Sequence, residues 1–211
     1  MRIRKGLGGL FTALGILLIT GSIGLLLYNR VTAEKADQAA EAVMTVLAER
    51  IETRAQEKEP ESESKPKQES IAVEEAKAME TIEIDGIAYI GYLTIPSLEL
   101  DLPVMSEWSY EGLATAPGRY SGDLSTHDLV IAAHNCTRHF GSLHKLSIGD
   151  EIIFTDVNAH QYHFAVEDLE ILAPDAVEAM TAGAYPLSLF TCTYDGRTRL
   201  TVRCTEKDLS F

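Results

Sequence analysis

From Gly6 to Asn29 the chain carries no charged side chain, and residues 7 to 28 are apolar apart from scattered Thr and Ser. Some 20 such residues suffice to cross a ~30 Å hydrocarbon core as a helix. A membrane span is expected, because a buried helix of a globular protein would keep a polar face. Arg2, Arg4 and Lys5 precede the run and only Arg30 follows closely, so the positive-inside bias puts residues 1–6 in the cytoplasm and everything after Tyr28 outside. A cleaved signal peptide is the rival reading, since Val31-Thr32-Ala33 offers a place to cut. Signal cores, however, run to only ~7–15 apolar residues.

The pattern changes at Glu34. Residues 33–58 are rich in Ala, Glu, Lys and Gln, with Ala40, Val43, Met44, Leu47 and Ile51 at three- and four-residue spacing, which predicts a juxtamembrane helix. The apolar stripe lasts about two heptads, short of the three or four a coiled coil needs, so a solvated stalk is expected. Residues 57–70, EKEPESESKPKQES, hold two prolines and no large apolar side chain, and are expected to form a disordered spacer.

From Thr81 the rhythm is that of strands. Residues 87–96, 98–104, 128–134, 150–156, 160–172, 187–194 and 199–204 are short, β-branched or aromatic runs separated by turn residues. Residues 108–114, 140–146 and 174–183 are read as turns or short helices, the last opened by Pro174-Asp175 and closed by Gly183. The expected fold class is mainly β, a closed barrel of about eight strands with short helices. The expected domains are a cytoplasmic tail (1–6), a transmembrane anchor (7–28), an extracellular stalk (29–80) and a catalytic barrel (81–211).

A net charge of −14 over 211 residues argues against a nucleic-acid partner. Three cysteines are too few for a disulfide framework, and their odd number leaves at least one thiol unpaired in a monomer. Cys136, in a loop, and Cys204, five residues along a strand from Arg199, are not expected to form a structural disulfide. The other histidines, 127, 139, 144, 160 and 163, have no company at zinc-binding spacing. No metal and no cofactor are expected, and Glu167, Asp168, Glu170 and Asp175 are read as a solvated acidic stretch.

Three polar residues sit at strand ends. His134 closes one apolar strand, Cys192 lies near the end of another, and Arg199 opens the next. A thiol, an imidazole and a guanidinium supply a nucleophile, a proton-transfer group and a fixed cation for an oxyanion, the equipment of acyl transfer through a thioester. Each also has an ordinary reading: a small buried hydrophobe, a surface histidine, a solvated rim arginine. Arg197 and Arg203 compete for the arginine role, and Cys136 is the rival thiol.

Four segments, in order, carry a resemblance to a known family. LSLFTCTYDGRTRLTVRC (187–204) resembles the sortase signature, in which a Thr-Cys pair closes one strand and an Arg opens the next. AAHN (132–135) is similar to the strand end bearing that family's histidine, FGSLHKLSIGDEIIF (140–154) to the segment after it, and IGYLTIPSLELDLPV (90–104) to its first two strands. The resemblance implies a cysteine transpeptidase on the outer face of a Gram-positive membrane. Such an enzyme cuts a sorting motif of the Leu-Pro-x-Thr-Gly type after threonine and joins the new end to an amine of a cell-wall precursor or a pilin. It also implies that Cys192 attacks, His134 transfers the proton and Arg199 holds the substrate oxygen. Thr191, Tyr194 and Asn135 are expected to line the substrate groove, and residues 173–186 to form the loop that reads the motif. The short link from Cys192 to Arg199 looks more like class B or D than class A. The lack of an aspartate-proline-aromatic lid and of a C-terminal apolar span favours wall anchoring over pilus assembly. An extracellular cysteine hydrolase and a non-catalytic binding module displayed on a stalk are the alternatives.

Overall fold

A computed structural model describes residues 3–58 and 79–207. Residues 59–78 lie outside the described residues, and with them all of the expected 57–70 spacer except its first two positions. The chain divides into two compact units, Met1–Ala39 and Ala40–Phe211.

A single helix, α1 (Ile3–Lys58), begins in the first unit. The large apolar side chains described there, among them Phe11, Leu14, Leu17, Ile23, Leu26 and Tyr28, are all exposed. Thr20 donates its hydroxyl back to the carbonyls of Ile16 and Leu17, so its polar group needs no outside partner. Among the described residues no helix is long and apolar enough to cross a membrane. The side chains at 7–10 and 12, part of the apolar run in the sequence, are outside that set.

In the second unit the end of α1 packs against the barrel instead of standing free in solvent as a stalk. Leu47 and Ile51 are buried, with Val43 and Val46 beside them, against Ile82, Ile84, Tyr89, Met105, Ala116 and Val157. Arg50 donates to the carbonyl of Glu83 (2.8 Å), and Arg54 approaches Glu80 (3.8 Å). The compact unit thus begins at Ala40, well before the expected boundary at 81. The physical reason is length: two heptads of apolar stripe are too short for a coiled coil but cover the apolar patch formed by Ile82, Ile84, Tyr89, Met105, Ala116 and Val157. Leu47→Ala is expected to cost about 2–4 kcal/mol by leaving a cavity there, read as a lower denaturant midpoint.

Among the described residues the sheet has nine strands: β1 (Ile82–Ile84), β2 (Ile87–Ile95), β3 (Leu100–Met105), β4 (Gly118–Ser121), β5 (Leu129–Ala132), β6 (Glu151–Asp156), β7 (Gln161–Leu172), β8 (Leu187–Cys192) and β9 (Arg199–Glu206). Their order is β1-β2-β3-β4-β5-β8-β9-β7-β6, and β6 pairs back onto β2. Eight strands therefore close into a barrel, and β1 is added as a hairpin on β2. The seven strands read from the pattern are present; β1 and β4, of three and four residues, were too short to give a periodic signal. The expected helix at 174–183 shrinks to one turn, α2 (Val177–Met180), and the pieces near 112 and 140 are 3-10 turns.

Ile90, Leu93, Val104, Ile131, Phe154, Phe164, Leu189 and Val202 fill the barrel interior. At the open end of β6, Glu151 accepts from Lys207 Nζ (2.8 Å) and meets His163 Nδ1 (3.4 Å). The Lys207 hydrogen bond, then that of His163, holds the Glu151 carboxyl below its usual range. A carboxyl depressed by folding stabilises the protein above its unfolded pKa, and that contribution is lost as pH falls through the folded value. The pair is solvent-screened, so Glu151→Gln is expected to cost under ~1 kcal/mol at pH 7. In denaturant melts the difference from wild type should shrink as pH falls below the usual carboxylate range and through the depressed value of Glu151.

Candidate functional site

The site is built on the outer face of strands β8 and β9. Along β8, Leu187, Leu189 and Thr191 turn into the barrel, so Ser188, Phe190 and Cys192 share the opposite face by the two-residue period. On β9, Val202 and Cys204 are interior, which leaves Arg199, Thr201 and Arg203 on the outer face. Cys192 and Arg199 are direct cross-strand partners, an arrangement that sets Cβ atoms ~4.5–5.5 Å apart.

His134 arrives from the other side. β5 runs parallel to β8 with Ala132 level with Phe190, and the pairing continues as the Ala133 N–H donates to the Phe190 carbonyl (3.2 Å). Two residues further on in that register, His134 comes level with Cys192. The Thr191 hydroxyl, buried, donates to the Ala133 carbonyl (2.8 Å) and stitches the two strand ends together. The His134 carbonyl accepts from the N–H groups of Cys136 (3.0 Å) and Phe140 (3.1 Å), and the fully buried Phe140 anchors the loop that follows. His134 itself is exposed and Cys192 half-buried.

Cys192, His134 and Arg199 line one groove of about 310 Å³. One wall is a chain of aromatic rings: Tyr110 edge-on to Trp108 (5.2 Å between centroids), Trp108 stacked on Tyr120 (5.5 Å), Tyr120 edge-on to Phe190 (5.1 Å). The facing wall is Pro174, Val177 and Met180 from the segment between β7 and β8. This aromatic wall was missed in the sequence because its rings come from three separate places: a loop, the four-residue β4 and, for Phe190, β8. The isolated Trp108 beside Tyr110 was the available signal.

The turn between Cys192 and Arg199 is held by its own side chains. The Thr193 hydroxyl donates to Asp195 Oδ1 (2.7 Å), and the Arg197 N–H reaches the same oxygen (3.2 Å). These two bonds, in that order, keep the Asp195 carboxyl below its ordinary range. Gly196 takes φ +72°, which a side chain would strain. Arg199 Nη1 donates to the carbonyls of Gly196 (3.3 Å) and Thr198 (3.0 Å), so its guanidinium rests against the turn at the edge of the groove.

The structure sorts the competing residues. Arg197 is exposed in the turn, and Arg203 is buried in an ion pair with Glu170 (2.6 Å). Arg199 is the arginine of the three that lines the groove with Cys192. Glu170, expected to be solvated, is thereby committed to Arg203. Cys136 is a half-buried free thiol lining a second cavity of about 590 Å³ with His134, Asn135, Cys192 and Tyr194. Cys204 is a free, interior thiol, pushed up to about 12 by burial. Asn135 and the fully exposed Tyr194 also border a third, more apolar hollow of about 390 Å³ beside Cys192. Among the described residues no three His, Cys, Asp or Glu side chains converge on a point that could hold a metal.

A thiol, an imidazole and a guanidinium gathered from three adjacent strand ends onto one groove are equipment for acyl transfer. A sortase-domain family model matches residues 93–207, and the chain belongs to the sortase family, whose members are cysteine transpeptidases. Sortase A of Bacillus anthracis is 28% identical over 115 residues, which cover 52% of this chain and 54% of the relative. The chain thus spans about half the length of the curated relative it matches. Among solved structures, sortase C1 from Streptococcus agalactiae matches with TM-score 0.51 and 23% identity, over 61% of this chain and 72% of that one. Sortase A from Corynebacterium diphtheriae matches with TM-score 0.50 and 22% identity, over 59% and 63%. At such identities these two likenesses speak for the fold and not for a subclass.

Proposed function

We propose that this chain is a membrane-anchored cysteine transpeptidase that cleaves a Leu-Pro-x-Thr-Gly-like sorting signal and transfers the cleaved protein to an amine of a cell-wall precursor or a pilin. The observation that carries the reading is the convergence of Cys192, His134 and Arg199 on one groove. In the first half-reaction Cys192 Sγ attacks the threonine carbonyl, and the Arg199 guanidinium turns from the Gly196 and Thr198 carbonyls to the oxyanion. His134 gives its proton to the departing amine, which leaves a thioester. In the second half the incoming amine loses a proton to His134, attacks the thioester carbonyl and expels the Cys192 thiolate. Each proton taken by the imidazole is the one given in the next cycle, so no further acid or base is required.

The first unit supports the anchor. A helical stretch whose described large apolar side chains, over residues 11–28, are all exposed calls for an apolar surrounding, and the basic residues 2, 4 and 5 favour a cytoplasmic N-terminus with the barrel outside. Membrane lipid, a secreted protein bearing the sorting signal and an amine acceptor are the proposed partners.

The test is intact-mass analysis of the full chain in detergent, incubated with a panel of Leu-Pro-x-Thr-Gly-like peptides with and without an amine. An acyl adduct on Cys192 that collapses to an amide product supports the reading. Release of free acid only, whatever amine is added, would turn it into a cysteine hydrolase. An alkylatable Cys192 that never acylates would favour a binding module. Within this reading, Arg199→Ala is expected to lower the acylation rate about 10²–10³-fold through loss of oxyanion stabilisation. Arg199→Lys should recover only part, since an ammonium keeps the charge without the fork. Equal rates for wild type and Arg199→Ala in single-turnover assays would remove Arg199 from the mechanism.

A further inference from the structure

The strand positions that hold Arg199 at the groove hold a second arginine four residues on, fully covered. Arg203 is 4% exposed and lies on the outer face of β9 beneath the segment 173–186. A charge taken out of water needs several partners to offset its desolvation, and Arg203 has them. Nε donates to Glu170 Oε1 (2.6 Å), Nη1 to the Met180 carbonyl (3.0 Å) and the Ser188 hydroxyl (2.9 Å), and Nη2 to the Ala179 carbonyl (2.6 Å). The guanidinium carbon also stands 5.3 Å from the centre of the Tyr185 ring.

Three of these partners, Ala179, Met180 and Tyr185, belong to the segment that forms one wall of the groove. Ser188 and Glu170 belong to the strands on either side, so the arginine ties a loop to the sheet beneath it. Met180 is at the centre of the arrangement. Its carbonyl is held by Arg203, its sulfur accepts from the Thr201 hydroxyl (3.6 Å), and its buried side chain lines the groove that contains Cys192. α2 has a single turn, so it cannot hold its own shape without an external tie.

We propose that Arg203 is a positioning residue for the acyl donor: paired with Glu170, it acts as an internal cation that pre-forms the 173–186 wall and so sets how the sorting peptide is read, without touching substrate itself. The inference rests on the transpeptidase reading for its kinetic consequence and on the hydrogen bonds alone for its structural one. Lysine cannot replace the arginine, because one ammonium cannot span the two carbonyls, the hydroxyl and the carboxylate that a planar fork reaches together. Misplacement of a substrate wall by about 1 Å can cost up to ~10²-fold in a reaction that depends on alignment.

The experiment compares the full chain with Arg203→Lys and Glu170→Gln, the second changing only a half-exposed partner in case the first fails to fold. Hydrogen exchange is followed by peptide. The expected result is faster exchange confined to 173–186 in both variants, with β8 and β9 protected as in wild type. On the kinetic side, KM for the donor peptide should rise about tenfold. KM for the amine and the rate of Cys192 alkylation by a small thiol reagent should stay within about twofold of wild type. Unchanged exchange in the loop of a folded variant overturns the proposal. So does a parallel fall in donor use, amine use and alkylation, which would mark Arg203 as a general stabiliser. If wild type acylates with no peptide, the transpeptidase reading fails by itself, and the exchange result still decides whether Arg203 sets the loop.

Discussion

Cys192→Ala is expected to abolish thioester formation and to lower transpeptidation by roughly 10⁴-fold or more, because the nucleophile of both half-reactions is gone and neither remaining thiol can take its place. Cys204 is sealed inside the barrel with its thiol pushed up to about 12, so at neutral pH it is neither ionised nor reachable. Cys136 lies in the loop beyond His134 and lines the second cavity, and it is not among the residues of the groove that holds the aromatic wall and Arg199. The fold should not register the change: Cys192 is half-buried at a strand end, and the expected cost is within about 0.5 kcal/mol. A thiol reagent used on the folded protein should modify Cys192 and Cys136 and spare Cys204. Intact mass after incubation with donor peptide is the decisive readout. Persistence of an acyl adduct in Cys192→Ala, or of amide product at more than a small fraction of the wild-type rate, would move the chemistry to another residue.

The largest effect on stability is expected from a glycine. Gly91 sits in the middle of β2, where the strand leaves its pairing with β1 and closes the barrel against β6, opposite Asp156. Its φ is +148°, and the ladder to β3 carries an irregularity between Tyr89 and Gly91. A Cβ built there would lie 2.0 Å from the Thr155 carbonyl oxygen and 3.0 Å from the Asp156 Cα. Both are backbone atoms of the neighbouring strand, which cannot rotate away as a flexible side chain would. Gly91→Ala must therefore either strain the residue or open the β2–β6 seam, and a cost of about 4 kcal/mol is expected from combined backbone strain and overpacking. Chemical denaturation measures it directly. A loss below ~1 kcal/mol would mean that the seam adjusts, and that closure of the barrel tolerates more slack than close packing implies.

Much of this was written in the local pattern of the chain. Short β-branched and aromatic runs separated by turn residues marked seven strands from Ile87 onward. The helix of residues 33–58 was legible from its composition, although its last two residues, 57 and 58, also read as the start of the spacer. His134, Cys192 and Arg199 stood out as polar residues at strand ends, and the order of four short segments pointed to the sortase family. β1 and β4 escaped, being too short for any period to show, and with β4 went Tyr120, one of the four rings of the aromatic wall. Thr191 was expected in the groove by its position beside Cys192, and it does line the groove, while its buried hydroxyl donates to the Ala133 carbonyl.

The sequence by itself determined the apolar segment, the mainly β class and the identity of the three groups that carry the proposed chemistry, since all of these depend on residue type and near-neighbour spacing. Tertiary structure alone decided the rest. Leu47 and Ile51 were a stripe without a partner until an end of the barrel lay against them. Arg197 and Arg203 still competed with the favoured Arg199 until the pairing of β8 with β9 placed Arg199 at the groove, left Arg197 in the turn and buried Arg203 under a loop. A residue's burial and partners come from strands distant in the chain, and register between such strands is a global property: shifting it by one residue would exchange the inner and outer faces of the whole site.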